Sequence, residues 1–356
     1  MNREEPPAKS QPLALLLVGI LSMLFAEVFS GSSVLWFLSA WSWFLTLPLY
    51  WSHTLLFLNL GFRLRRTSIS DLYLFGVLFG LYESWVTKVV WAGYFGQTPA
   101  WGTFFGFAVA EVPVIVFFWH PVMSFIVPIL VFEIVAVSIR EQQDALQTAF
   151  PSHMILLQRN KRSSVLFGLV FVGGAAFLSA NSGLNVLAAA LTVIVSLLML
   201  ALIVTLIRRR YGGHMSVYSL RLGSRGFSIT TLYVLLLYLV TFPLLRPEGI
   251  PGPTTLLLTL CLYAFVALLI VMDPAREEKP AQQTTPSRII TLRGIEYAFG
   301  ALLLMIVVMC TVPAIDSVAG VLLYLMIVVS APILFIWTGA KAVFRRVHRQ
   351  TVSATI

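Results

Sequence analysis

Charge is what this sequence has least of. Only 11% of its 356 residues are Asp, Glu, Lys or Arg, against 58% hydrophobic residues and a mean hydropathy of +0.89. That composition leaves almost no material for a soluble domain. Cysteine is nearly absent too. Cys261 and Cys310 are the whole complement and both lie in apolar runs, so neither a disulfide framework nor a metal-ligand spacing exists. No P-loop pattern occurs, and ATP-driven work would need another subunit. No internal repeat is visible, which tells against an inverted-repeat transporter. Basic residues outnumber acidic ones 24 to 15, yet no basic stretch belongs to a soluble module, so nucleic acid is not an expected partner.

What is there instead is apolar sequence in spanning lengths. A bilayer core needs about 20 apolar residues per helical crossing, and ten stretches qualify: 11–29, 42–61, 71–93, 113–139, 164–180, 185–207, 229–245, 253–272, 294–313 and 319–338. With a cytoplasmic N-terminus, the tracts on the cytoplasmic side hold 22 of the 24 basic residues, among them Arg63, Arg65 and Arg66, Arg159 to Arg162, and Arg208 to Arg210. The two exceptions are Arg246 and Lys88, the latter inside a span. The positive-inside rule therefore predicts an all-α bundle of about ten spans in the cell membrane, with both termini cytoplasmic. Leu13 to Phe25 has the length of a secretory h-region, but Glu4 and Glu5 offset Arg3 and Lys9, and an uncleaved first helix is expected.

Two apolar pieces, 33–41 and 102–111, are too short to cross; both are bracketed by Gly, Ser or Pro and are expected to be re-entrant or interfacial half-helices. By composition the chain divides near residue 140. Residues 1–140 carry four spans, the half-helices and the polar cluster, while 141–356 carry six apolar spans. Eight of nine tryptophans fall in the first 120 residues, and Trp36, Trp41, Trp91 and Trp101 are expected in an outer aromatic belt. The loops 140–163 and 208–228 are expected to lie along headgroups, and 273–293, rich in Pro and Gln, to be a flexible linker.

Ionisable side chains cost several kcal/mol in hydrocarbon, so each marks a functional hypothesis. Glu27, His53, Glu83, Lys88, His120 and Glu133 all belong to the first four spans, with Glu111 at a half-helix boundary. At about 1.5 Å per residue, Glu83, His53 and His120 reach a similar layer, roughly 10–16 Å from the outer helix ends. Gly76, Gly80, Glu83 and Thr87 share one helical stripe. The glycines permit close approach of another backbone, which predicts that this stripe is the packed face. His120 and Ser124 share a face at i+4, and Pro121 and Pro128 are expected to kink their helix. Structural readings stand beside these: a hydrogen-bonded packing device for Glu83 and His53, and for Lys88 a snorkel to the headgroups or an ion pair with Glu83.

At these residues the sequence resembles a loosely defined group of uncharacterised prokaryotic multi-pass membrane proteins. The resemblance rests on Ala26-Glu27-Val28-Phe29-Ser30-Gly31, on Gly80-Leu81-Tyr82-Glu83, and on His120 and Ser124 followed by Pro128-Ile129 and Glu133; it covers about the first 140 residues and implies no activity. A fainter likeness is to the intramembrane glutamate proteases of the CAAX-processing superfamily, to which only Glu83 and His120 correspond. Ser84 stands where that family has a second Glu, and Thr87 where it has Arg.

The sequence thus predicts a non-enzymatic membrane protein that binds or passes a cation, a proton or a small polar solute through an outward-facing cavity lined by Glu83, His120, Thr87, Ser124, His53 and Glu27. No cofactor or metal is expected. The expected partners are the bilayer, the solute, and a second copy or another membrane subunit. Two alternatives stay open: an intramembrane hydrolase with Glu83 as general base and His120 as partner or metal ligand, and a structural subunit whose Gly76 and Gly80 face packs a partner helix.

Overall fold

The computed structural model describes residues 9–139, 149–273 and 289–354. Most of the expected linker 273–293 and the start of the loop 140–163 lie outside the described residues. The architecture is all-α apart from one small hairpin. In chain order the helices are α1 (Gln11–Met23), α2 (Leu47–Leu64), α3 (Ile69–Gly80), α4 (Tyr82–Trp85) and α5 (Val89–Ala92), then a hairpin of β1 (Thr103–Phe104) with β2 (Phe107–Ala108). A π-helix (Val112–Ile126) runs directly into α6 (Val127–Ile139), followed by α7 (Met154–Leu157), α8 (Lys161–Asn181), α9 (Val186–Tyr211), α10 (Ser224–Leu244), α11 (Pro253–Met272), α12 (Leu292–Thr311) and α13 (Pro313–Ala354).

Eight of these helices are long and apolar enough to cross a membrane. The other two expected crossings are built differently. Residues 42–64 wind first as a π turn, Ser42–Thr46, and then as α2, while 71–93 is broken into α3, α4 and α5. Local sequence sets many of the boundaries. Asn160 and Ser163 form a reciprocal capping box at the start of α8, and Asn185 accepts the Ala188 amide at α9. At its other end α9 places Arg208, Arg209 and Arg210 in the last turn and closes on Gly212 at φ 58°, where side-chain charge and backbone handedness both suit a helix terminus.

The expected half-helix at 102–111 is instead the β1–β2 hairpin. Gly102 and Gly106 take φ of +71° and +79°, conformations a helix cannot use, so this stretch turns back on itself. Residues 33–41 hold a turn, one 3-10 turn at Trp36–Leu38, and at 40–41 the first helical residues of the next segment.

Contacts divide the chain into two compact units: Met1–Leu55 with Val127–Gly223 and Glu278–Val321, and Leu56–Ile126 with Ser224–Glu277 and Leu322–Ile356. In the first unit, α1 packs on α6 and α9, and α12 on α8 and α9. Its core is an aromatic nest of Phe25, Phe29, Phe171 and Phe299, with ring centroids 4.8–6.4 Å apart. Gly174 leaves room for it, since a Cβ there would sit 2.3 Å from the Phe29 ring. In the second unit, α3 lies against the π-helix and α11 against α3.

Two of the four tryptophans expected in an interfacial belt are core residues. Trp36 donates to Ser196 Oγ at 2.9 Å in the first unit, and Trp91 to Thr259 Oγ1 at 3.1 Å in the second; both rings are buried. Trp41 and Trp101 are exposed, as a belt requires.

Candidate functional site

The site is set by how α3 meets the π-helix in the second unit. A Cβ on Gly76 would lie 2.5 Å from Pro121 Cα, and one on Gly80 would lie 2.9 Å from Val116 Cα and 3.2 Å from His120 Cβ. The two backbones are therefore closer than any side chain permits, as the Gly76 and Gly80 stripe predicted. The Tyr73 hydroxyl of α3 donates to the Phe117 carbonyl of the π-helix at 2.8 Å, a second tie across the same contact. The wide winding of 112–126 is rare in proteins and concentrates where function needs it.

Just past this contact α3 stops at Gly80, and Glu83 stands on the single turn α4. Its Oε1 is 3.0 Å from His120 Nε2, and its Oε2 accepts a hydrogen bond from the Thr87 hydroxyl. The other imidazole nitrogen, Nδ1, is 3.1 Å from Ser124 Oγ. Phe79 stacks on the imidazole at 5.4 Å, and Tyr82 meets it edge-on at 4.9 Å. Glu83, His120 and Ser124 are buried. The line Ser124–His120–Glu83 is continuous in either tautomer. If Nδ1 donates to Ser124, Nε2 either accepts from a protonated Glu83 or, as imidazolium, donates to its carboxylate. If Nε2 donates to Glu83 from a neutral ring, Ser124 donates to Nδ1. These states differ only in where protons sit along one hydrogen-bonded row.

Lys88 neither snorkels nor pairs with Glu83. It is 0% exposed, left-handed at φ 60°, and its ammonium donates to the carbonyls of Val86 at 3.2 Å, Thr241 at 2.9 Å and Leu245 at 2.5 Å. It thereby closes the C-terminal end of α10, the negative end of that helix dipole. Arg246, which follows α10, is left-handed at φ 56° and returns the favour. Its guanidinium donates to the carbonyls of Ala92 at 3.1 Å, Gly93 at 2.5 Å, Tyr94 at 3.3 Å and Thr87 at 3.5 Å. The two basic residues that break the charge rule are the two that each satisfy the other segment's carbonyls.

Four of the six expected site residues, Glu83, Thr87, His120 and Ser124, thus form one connected group. Glu27 and His53 belong to the first unit. Glu27 accepts from the Tyr50 hydroxyl and from the Ser33 hydroxyl, each at 2.6 Å. His53 is buried and its Nδ1 donates to the Leu49 carbonyl at 2.7 Å, since a carbonyl can only accept.

The first unit also holds a pair that sequence reasoning missed. Glu133, on α6, lies with its Oε2 2.8 Å from His153 Nδ1, and its Oε1 accepts the Phe150 amide at 2.8 Å; both side chains are fully buried. The one available signal was a histidine inside a loop otherwise read as lying on headgroups. Among the described residues, no group of three or more His, Cys, Asp or Glu side chains could hold a metal ion, and Cys261 and Cys310 are free thiols.

Comparison with known proteins gives family but no chemistry. Residues 16–353 match a family described as an uncharacterized membrane protein family. An uncharacterized protein of Archaeoglobus fulgidus is 41% identical over 123 residues, which is 35% of this chain and 38% of the relative's length. No solved structure matches.

Proposed function

The chain belongs to this uncharacterized membrane protein family and is a multi-pass membrane protein, and from that premise we propose that it takes up and releases a proton at Glu83 and His120. That exchange is coupled to the binding or passage of a small polar solute or cation from the outer side, with both termini in the cytoplasm. The observation that carries this reading is the buried 3.0 Å contact between Glu83 and His120, extended by Ser124 on the second imidazole nitrogen. A carboxylate and an imidazole at this distance share a proton with no side-chain movement, and the neighbouring hydroxyl relays it.

The broken third crossing adds support. Irregular backbone at membrane depth persists only where protein satisfies it or a cavity is lined by it, and interrupted helices are the usual carriers of solute and ion sites. Here the break falls within five residues of Glu83. The hydrolase alternative asks Glu83 to activate a water, yet each carboxylate oxygen already faces a protein group, His120 or Thr87. The structural-subunit alternative asks the Gly76 and Gly80 face to receive a partner helix, yet Pro121 and Val116 of the same chain fill that face.

The test is proton flux into proteoliposomes carrying an internal pH-sensitive dye, driven by an imposed pH gradient. Glu83→Gln preserves shape and hydrogen-bonding capacity but cannot ionise; it and His120→Gln are expected to reduce flux to that of empty liposomes, with Thr87→Val intermediate. Wild-type flux no greater than that of Glu83→Gln would overturn the proposal.

A further inference from the structure

Glu133 and His153, the buried pair of the first unit, hold down a stretch of chain as well as each other. Both side chains are 0% exposed. Each oxygen of Glu133 meets a donor from the stretch 149–158: Oε2 lies 2.8 Å from His153 Nδ1, and Oε1 accepts the Phe150 amide at 2.8 Å. The same stretch reaches the start of α12, where the Leu157 carbonyl accepts the Ile290 amide at 2.8 Å and Gln158 bridges to Ile289. A second tie joins α6 to that start directly, the Leu292 amide donating to Ser138 Oγ at 3.0 Å. All of these residues belong to the first unit. Among the described residues, the packed elements bring few other ionisable groups. α1 and α7 have none. Arg159, Lys161 and Arg162 beyond α7, and Arg293, Glu296 and Tyr297 at the start of α12, are all exposed. The 3-10 turn Val217–Leu220 brings Tyr218, whose ring meets Phe150 edge-on at 5.7 Å.

We propose that this pair is a proton-binding site that governs the stretch: 149–158 stays on α6 while the pair holds at most one proton, and lifts away when it takes up a second. The limit comes from counting donors and acceptors. With a neutral imidazole and an ionised Glu133, Nδ1–H donates to the carboxylate. With one proton more, either an imidazolium donates to the carboxylate or the carboxylic acid donates to Nδ1, and in both forms a donor still meets an acceptor. A second proton ends this match. Nδ1 then carries a hydrogen, and the acid hydrogen sits on an oxygen that already receives one, from His153 or from the Phe150 amide. Donor faces donor, and the buried pair carries a net positive charge. In the lifted stretch water accepts from both groups. The second proton comes from hydronium, which leaves as water. Lifting also removes one of the two ties between α6 and the start of α12, so the proton count on the pair is felt at that helix.

The experiment is hydrogen exchange of the full chain in proteoliposomes, read peptide by peptide from about pH 7 to about pH 3.5, a range that spans the ordinary values of imidazole and carboxylate. Protection is corrected for the intrinsic rate at each pH. A lifted form that binds one proton more than the seated form loses about tenfold in protection per pH unit. Protection of 149–158 is therefore expected to fall by at least about tenfold per unit below about pH 4.3, while that of α9 holds. In His153→Asn the side-chain amide reaches the place of Nδ1 and can turn either its NH2 or its carbonyl toward Glu133, so protection is expected to stay level. In Glu133→Gln the carbonyl is engaged by the Phe150 amide and the NH2 faces Nδ1, so one proton on His153 suffices and the fall is expected to begin near about pH 6.5. Level protection in the wild type or in Glu133→Gln, a wild-type loss shared equally by α9, or a fall in His153→Asn as steep as in the wild type would each overturn the proposal. Glu83 and His120 lie in the second unit and are judged by the flux assay alone.

Discussion

Replacing Gly76 with alanine sets a methyl carbon 2.5 Å from Pro121 Cα, 3.0 Å from its Cβ and 3.2 Å from its carbonyl oxygen. Carbon atoms in contact settle at about 3.5–4.0 Å, so α3 and the π-helix must part by roughly 1 Å. The atoms met belong to a proline ring and main chain, and no rotamer relieves them. Overpacking of this kind costs about 1–3 kcal/mol. A separation of roughly 1 Å also carries the Glu83–His120 contact to roughly 4 Å, outside hydrogen-bonding range, and a hydrogen bond to a charged group contributes about 1.5–3 kcal/mol. The helix preference for alanine over glycine returns about 1 kcal/mol. The expected net loss for Gly76→Ala is about 1.5–5 kcal/mol. Gly80→Ala is expected to behave similarly, since it meets Val116 Cα at 2.9 Å. Gly168 and Gly300 supply the controls: a Cβ at either meets nothing within 4 Å, and alanine there should stabilise by up to about 1 kcal/mol. The assay is equilibrium unfolding in mixed micelles titrated with a denaturing detergent, read by circular dichroism. If Gly76→Ala unfolds together with Gly168→Ala, the close approach of α3 and the π-helix is not what assembles the site.

Lys88→Met keeps the apolar stem but strands the carbonyls of Val86, Thr241 and Leu245; the same unfolding assay should show a loss of at least about 1–3 kcal/mol, and an unchanged midpoint would mean those bonds are not formed. His153→Ala removes one side of a fully buried pair and should cost about 3–5 kcal/mol. The double replacement Glu133→Leu with His153→Leu should cost less than His153→Ala alone, and a larger cost for the double would refute the view that the stranded carboxylate causes the loss. Reporter fusions after residues 66, 162, 210, 280 and 350 should register the cytoplasm, and those after 97, 183, 249 and 316 the outside; a cytoplasmic signal at 97 would break the charge-based topology.

The parts of the site that were legible in the sequence are those set by spacing within one segment. Gly76, Gly80, Glu83 and Thr87 repeat at helical intervals, and the contact they predict with a neighbouring backbone is the one formed with Val116 and Pro121. His120 and Ser124 at i+4 are joined through Nδ1 and Oγ. What spacing does not carry is the identity of distant partners. Trp36 and Trp91 read as interfacial because the hydroxyls that bury their indole nitrogens lie 160 and 168 residues further on. Lys88 read as a snorkelling side chain because two of its three acceptors are main-chain carbonyls more than 150 residues away, and carbonyls have no sequence signature. His153 was missed for the same reason, its partner Glu133 sitting 20 residues earlier in a different element. The π winding of 112–126 depends on how the backbone hydrogen bonds shift around Pro121, and the apolar periodicity of Val-Ile-Val-Phe-Phe does not encode that shift.

The exchange of cations between Lys88 and Arg246 governs how this part of the protein opens. Segments normally fray one at a time, each with its own small opening free energy. Here Lys88 holds carbonyls at the end of α10 while Arg246, anchored just beyond α10, holds carbonyls around α5, so seven main-chain acceptors are tied into a closed loop of dependence. Neither end can lift without releasing the other. Amide hydrogens in 86–94 and 241–246 should therefore exchange with one common opening step, and any fluctuation that admits solvent to Glu83 has to begin elsewhere along the chain.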